Sequence, residues 1–168
     1  IVGSAPYYVA VFDHDLYRST NDGESFASVL NIGGLIFTSI AYGNGVFVAY
    51  MSGTGTNDIR YSSDNGATWN TATSGAGTGS AVSFAGGYFF LTGQNGKLYT
   101  STNGSSWTDR TISTTNDLAP VVVYGNGQWV VGTVQGVIYS ATSVSGTWTA
   151  NPVQPADPHR PGALDGLR

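Results

Sequence analysis

Three sets of positions recur along the chain about every 40 residues, and that recurrence restricts the fold more than any other property of the sequence. The first set is the apolar segments Tyr8-Val9-Ala10-Val11, Phe47-Val48-Ala49-Tyr50, Phe89-Phe90-Leu91-Thr92 and Trp129-Val130-Val131-Gly132. The second is Leu16-Tyr17, Ile59-Arg60-Tyr61, Leu98-Tyr99 and Ile138-Tyr139. The third is a single aromatic: Phe26, Trp69, Trp107 and Trp148. Chance does not keep three columns drifting together, so each unit is one supersecondary structure repeated along the chain.

The turns say what that structure is. Tyr42-Gly43-Asn44-Gly45 and Tyr124-Gly125-Asn126-Gly127 each place Asn-Gly before an apolar run, and Ala85-Gly86-Gly87 takes the same place in the third unit. Asn-Gly tolerates positive φ at both central positions, which a type I′ hairpin requires. A second tight turn follows at Asp13-His14-Asp15, Asn95-Gly96 and Gln135-Gly136. The runs between turns are strand-length and nearly continuously apolar, as strands covered on both faces must be. The composition agrees, with 24 glycines, 10% charged residues and a single glutamate, Glu24, which suits short strands and tight turns and suits helices poorly.

The expected fold class is therefore all-β, with β-propeller blades of four-stranded antiparallel meanders. Unit two is read as strands at 37–42, 46–51, 58–63 and 68–73. Unit three is read at 80–84, 88–93, 97–102 and 106–111, and unit four at 119–124, 128–133, 136–141 and 146–151. Unit one supplies strands at 7–12, 15–19 and 25–30 and no recognisable innermost strand, so three blades are complete and one is partial. The blades occupy residues 1–151. Residues 152–168, with Pro152, Pro155, Pro158 and Pro161, read as an extended Pro-rich arm or linker.

Between the third and fourth strands lies a recurring turn. Ser62-Ser63-Asp64-Asn65-Gly66-Ala67-Thr68-Trp69 reads S-x-D-x-G-x-x-W. Ser19, Asn21, Gly23 and Phe26 match it with Asn for Asp and Phe for Trp. Thr100, Gly104 and Trp107 keep the frame with a threonine, Thr102, at the acidic position, and Ser140 to Trp148 is longer and degenerate. An Asp or Asn oxygen here can accept from backbone N–H groups further along the turn, glycine supplies a conformation other residues find costly, and the aromatic plugs the gap between strands. The motif resembles the Asp-box, or BNR repeat, of sialidases and other propellers, and the wider phrasing resembles propellers of phage virion and bacterial surface proteins. That resemblance implies a structural role for the box residues, remote from any active centre.

Function is approached largely by exclusion. Arg18, Arg60, Arg110, Arg160 and Arg168 are scattered, only one lysine is present, and the formal net charge is -4, so nucleic acid is not an expected partner. No apolar run approaches the ~20 residues of a membrane span, and Ile1-Val2-Gly3-Ser4 does not have the pattern of a signal peptide. There is no cysteine for a disulfide or a thiolate metal site. The sialidase resemblance implies an arginine trio, a tyrosine–glutamate pair and an acid. Here Glu24 falls inside a box turn, and no arginine falls on an expected innermost strand. His14 between Asp13 and Asp15 reads as a solvated turn rather than a metal or acid/base site, and Asp109 and Asp117 lie in loops. The expectation is a non-enzymatic structural or interaction module without cofactor or metal, in an extracellular, virion or cell-surface assembly. Its partners would be proteins, through self-association or a neighbouring subunit, engaged by open blade faces and the 152–168 arm. A lectin-like, glycan-binding propeller is the alternative, and a glycosidase of sialidase type ranks below it.

Overall fold

The computed structural model describes residues 1–52, 59–73, 79–112 and 114–152. Among these residues the chain forms four antiparallel sheets of four strands each, and no helix. Blade 1 is β1 (Val2–Ser4), β2 (Tyr7–Phe12), β3 (Asp15–Ser19) and β4 (Ala27–Asn31). Blade 2 is β5 (Ile36–Gly43), β6 (Val46–Ser52), β7 (Ile59–Ser62) and β8 (Asn70–Thr71). Blade 3 is β9 (Ala81–Ala85), β10 (Tyr88–Thr92), β11 (Leu98–Ser101) and β12 (Thr108–Asp109). Blade 4 is β13 (Leu118–Gly125), β14 (Gln128–Thr133), β15 (Val137–Ala141) and β16 (Thr149–Pro152). Each sheet is a meander in sequence order.

The hairpins form where the turn chemistry places them. Asn44 and Gly45 have φ of 51° and 74°, and Asn126 and Gly127 have 50° and 77°, the positive pair of a type I′ turn. The three columns fall into register across blades. Tyr8, Phe47, Phe89 and Trp129 pair with Ser19, Ser62, Ser101 and Ala141, the last or penultimate contact before each box turn.

Two sequence-based boundaries need correction. Blade 1 has an innermost strand after all: Val2, Gly3 and Ser4 pair with Val9, Tyr8 and Tyr7. A three-residue Val-Gly-Ser segment has no apolar run to announce it, and its pairing with β2 makes it a strand. At the other end Pro152 pairs with Val137 and closes β16, so the blade takes one residue assigned to the arm. Residues 153–168 of that arm lie outside the described residues.

The core is not inside any sheet but between sheets. One cluster joins Val9 and Leu16 of blade 1 to Phe47, Ala49 and Met51 of blade 2. A second joins Val48, Tyr50 and Ile59 of blade 2 to Phe89, Leu91 and Trp107 of blade 3. The third joins Phe90 and Leu98 of blade 3 to Val122, Val131 and Tyr139 of blade 4. Phe89 and Phe90 are neighbours in sequence, are both 0% exposed, and serve different seams, because successive side chains of a strand point to opposite faces. Each contributes about 1.5–3 kcal/mol of burial. The apolar runs of the middle blades are thus continuous because both faces of those sheets are covered.

Candidate interaction faces

The box turns are the best-defined polar geometry in the chain. In blade 2, Ser62 is fully buried; its hydroxyl donates to Asp64 Oδ1 (2.7 Å) and accepts from the Gly66 N–H (2.9 Å). Asp64 accepts from the Thr68 N–H (2.9 Å) and hydroxyl (2.6 Å), and the Trp69 indole donates to Gly66 O (3.1 Å). Burial opposes ionisation of Asp64, but bonds from the Thr68 hydroxyl and amide, Ser62 and the Ala67 amide prevail and bring its pKa from 3.8 to about 2. Blade 1 repeats the frame: Ser19 donates to Asn21 Oδ1 (2.9 Å) and accepts from the Gly23 N–H (2.9 Å), and Asn21 Oδ1 accepts from the Ser25 N–H (3.1 Å).

In blade 3 the frame sits one residue away from its sequence reading. Ser101, not Thr100, donates to the acceptor at Asn103 (3.1 Å) and receives the Gly104 N–H (2.8 Å), and Asn103 Oδ1 accepts the Ser105 and Ser106 amides. Thr100 is buried within β11. The signal was present: Ser101-x-Asn103 has the spacing of Ser19-x-Asn21 and Ser62-x-Asp64, and a turn shorter by one residue hid it. Trp107 closes this box by donating to Gly104 O (3.0 Å). Blade 4 keeps the aromatic and loses the frame. Trp148 Nε1 is buried with no hydrogen-bond partner, as is the neighbouring Arg110 Nε.

Each box does more than close its own turn. A Cβ on Gly66 would stand 2.6 Å from Val9 Cγ2, and one on Gly104 would stand 2.6 Å from Val48 Cγ2 and 3.0 Å from Tyr61 Cβ. The box glycine of one blade is therefore pressed against the second strand of the blade before it. Arg18 Nε completes the first of these contacts by donating to Asn65 O (2.7 Å), and Asn44 Nδ2 spans the next seam to Gly87 O (3.0 Å) and Thr102 O (3.3 Å). In blade 1 the equivalent Gly23 has nothing within 4 Å of such a Cβ.

That open glycine marks an uncovered face, and the other end of the stack has one too. Phe12 is 73% exposed and Phe26 36% exposed on the face of blade 1 that points away from blade 2. Val121, Val123 and Ile138 are 54%, 53% and 37% exposed on the far face of blade 4. Among the described residues neither face is covered by another sheet.

Among the described residues carboxylates do not converge anywhere comparable. Asp13, Asp15 and His14 form the β2–β3 turn: His14 Nδ1 lies 2.6 Å from Leu35 O, and Asp15 accepts from Ser28. Among the described residues no group of three or more His, Asp or Glu side chains could hold a metal ion. A cleft of about 610 Å³ opens where the outer edges of blades 3 and 4 meet, lined by Asp109, Arg110, Tyr139 and Trp148 among others. Among its described lining residues the one carboxylate, Asp109, is held below its usual range by hydrogen bonding from Thr111 and by the charge of Lys97. Glu24 lies exposed in the blade 1 box turn, and Arg60 lies on β7, the third strand of blade 2.

Four-stranded meanders sealed only by their neighbours define the molecule as a β-propeller protein. The chain belongs to the DUF6242 beta propeller domain family, whose profile matches residues 37–160. No curated protein matches it in sequence. Its fold is similar to YCF48 bound to a D1 peptide (TM-score 0.65, 12% identity), covering 89% of this chain and 50% of that one. It is similar to YCF48 from Cyanidioschyzon merolae (TM-score 0.63, 12% identity, 89% and 53% covered) and to the GH74 enzyme of Niastella koreensis (TM-score 0.62, 22% identity, 85% and 22% covered). The chain thus spans about half the length of the YCF48 chains and about a fifth of the GH74 enzyme.

Proposed function

We propose that this chain is a non-enzymatic interaction module whose end blades bind protein, in an extracellular, virion or cell-surface assembly. The observation that carries the reading is the pair of uncovered apolar faces on blades 1 and 4, built from the same columns that form the sealed seams inside the stack. Two further facts support it. The Asp64 carboxylate of the best-formed box is tied into its own turn. A propeller of similar fold has been solved with a bound peptide, a partner of the class proposed here.

The test is photo-crosslinking in the native host, with Val121→benzoylphenylalanine on one end face and Phe12→benzoylphenylalanine on the other. Adducts to protein at both positions are expected. Irradiation that yields only the free chain overturns the reading, and so does turnover of a fluorogenic sialoside by the purified protein.

A further inference from the structure

We infer that the cleft at the outer edge of the seam between blades 3 and 4 binds a small sugar acid, with Arg110 taking its carboxylate. The site lies between two blades of the stack and stands apart from the reading of the end faces.

The repeat breaks at this seam. Ala72 and Arg110 each follow the outermost strand of their blade, and their amides donate to Ile59 O (3.1 Å) and Leu98 O (2.7 Å), which hold the same register position. In the seam between blades 2 and 3, Ala72 is buried in one cluster with Trp107, whose indole donates to Gly104 O (3.0 Å). In the seam between blades 3 and 4, Arg110 stands where the alanine would be, and the box that would bond Trp148 has lost its frame. Trp107 is buried and Trp148 half-buried. The cleft of about 610 Å³ opens at this point, lined by both Arg110 and Trp148. Its volume falls within the roughly 300–1,000 Å³ of small-molecule sites.

The polar groups left at the break call for an acceptor. Trp148 Nε1 and Arg110 Nε are buried donors with no partner, which is a costly state. Among the described residues no hydrogen bond or ion pair reaches the rest of the Arg110 side chain. Asp109, in the same lining, accepts from the Thr111 N–H (2.7 Å), and its charge is offset by Lys97. Arg110 is therefore a cation without a counter-ion, and the ligand it fits is an anion.

The planar fork of a guanidinium matches the two oxygens of a carboxylate. A phosphate group carries more than one negative charge near neutral pH. Here it would stand beside Asp109 with Arg110 as the one cation among the described lining residues, so a carboxylate fits better. The remaining lining suits a hydroxylated ring. Tyr139 and Trp148 supply aromatic surface, Ser145 and Thr147 supply hydroxyls, and Asp109 supplies an acceptor for a ligand hydroxyl.

An NMR titration of the isotope-labelled full chain with D-galacturonate tests the site. The Trp148 indole N–H resonance, assigned through Trp148→Phe, should shift saturably. Those of Trp69 and Trp107, bonded within their boxes, should stay in place. Arg110→Gln should keep the circular dichroism of wild type and bind at least about tenfold more weakly, because one charge-assisted pair is lost. Galactose, a like ring without the carboxylate, should lose at least about tenfold on the wild-type chain, a comparison that needs no variant to fold. N-acetylalanine, a carboxylate without the hydroxylated ring, should also bind more weakly than galacturonate. A shift that never saturates overturns the inference, as does an Arg110→Gln chain that binds like wild type. Equal affinity for galactose overturns the role of the carboxylate, and equal or tighter binding of N-acetylalanine or inorganic phosphate overturns the sugar acid.

Discussion

The seam between blades 2 and 3 and the outer face of blade 4 are made from the same residue columns, yet one is sealed and the other is wet. At the seam, Ile59 and Val48 are buried beneath Phe89, Leu91 and Trp107 of the next blade. At the outer face, Ile138 and Val123 meet solvent. The difference does not lie in the ladders between second and third strands, which pair regularly in both blades. It lies in whether a neighbour follows. A blade in this molecule is half of two cores, so its stability depends on the sheets beside it, as in other repeat architectures.

The largest expected effect concerns the aromatic columns. Phe89→Ala should cost about 3–5 kcal/mol in urea denaturation, because a fully buried ring leaves a cavity between two sheets. Phe12→Ala, at a side chain that is 73% exposed, should stay within about 0.5 kcal/mol of wild type. Equal losses would erase the distinction between seam and end.

Next come the box glycines. Gly23→Ala should cost about 1–2 kcal/mol from its positive φ alone, since space around it is open. Gly104→Ala carries the same penalty plus about 1–3 kcal/mol of overpacking against Val48 and Tyr61. Thermal and urea unfolding of the pair should therefore separate them clearly.

Smaller effects compare the intact box with the decayed one. Trp107→Phe removes an indole bond to Gly104 O and should cost about 1–2 kcal/mol. Trp148→Phe removes a buried donor that bonds to nothing, so its cost should be smaller, or its sign reversed.

The smallest effect is the pH dependence of Asp64. Its folded pKa of about 2 lies below the ordinary 3.8, so ionised Asp64 contributes stability that is fully present above pH 3.8. That contribution is lost as pH falls through about 2. The stability gap between wild type and Asp64→Asn should accordingly narrow from pH 5 to pH 2, and a gap that widened would show that the Thr68 and Ser62 bonds do not hold the carboxylate.

Much of this was legible without coordinates, for a physical reason. A repeat prints its register in the sequence, so Tyr8, Phe47, Phe89 and Trp129 announced equivalent second strands before any pairing was seen. Turn residues acted locally and were equally readable, since positive φ at Asn44-Gly45 and Asn126-Gly127 needs only the dipeptide. The Ser62–Asp64 box was readable for the same reason. What escaped was whatever depended on a partner. The Val2–Ser4 strand exists because β2 offers it a ladder, and the Ser101–Asn103 box escaped because its turn is one residue shorter than its neighbours.

The amino-acid sequence by itself determined the blade: its four-strand rhythm, its hairpins and the apolar columns on both faces. Only the tertiary structure decided which of those faces find a neighbour. A strand's alternation says which side chains share a face, but burial is a property of two surfaces meeting, and inside the stack the second surface lies about 40 residues away.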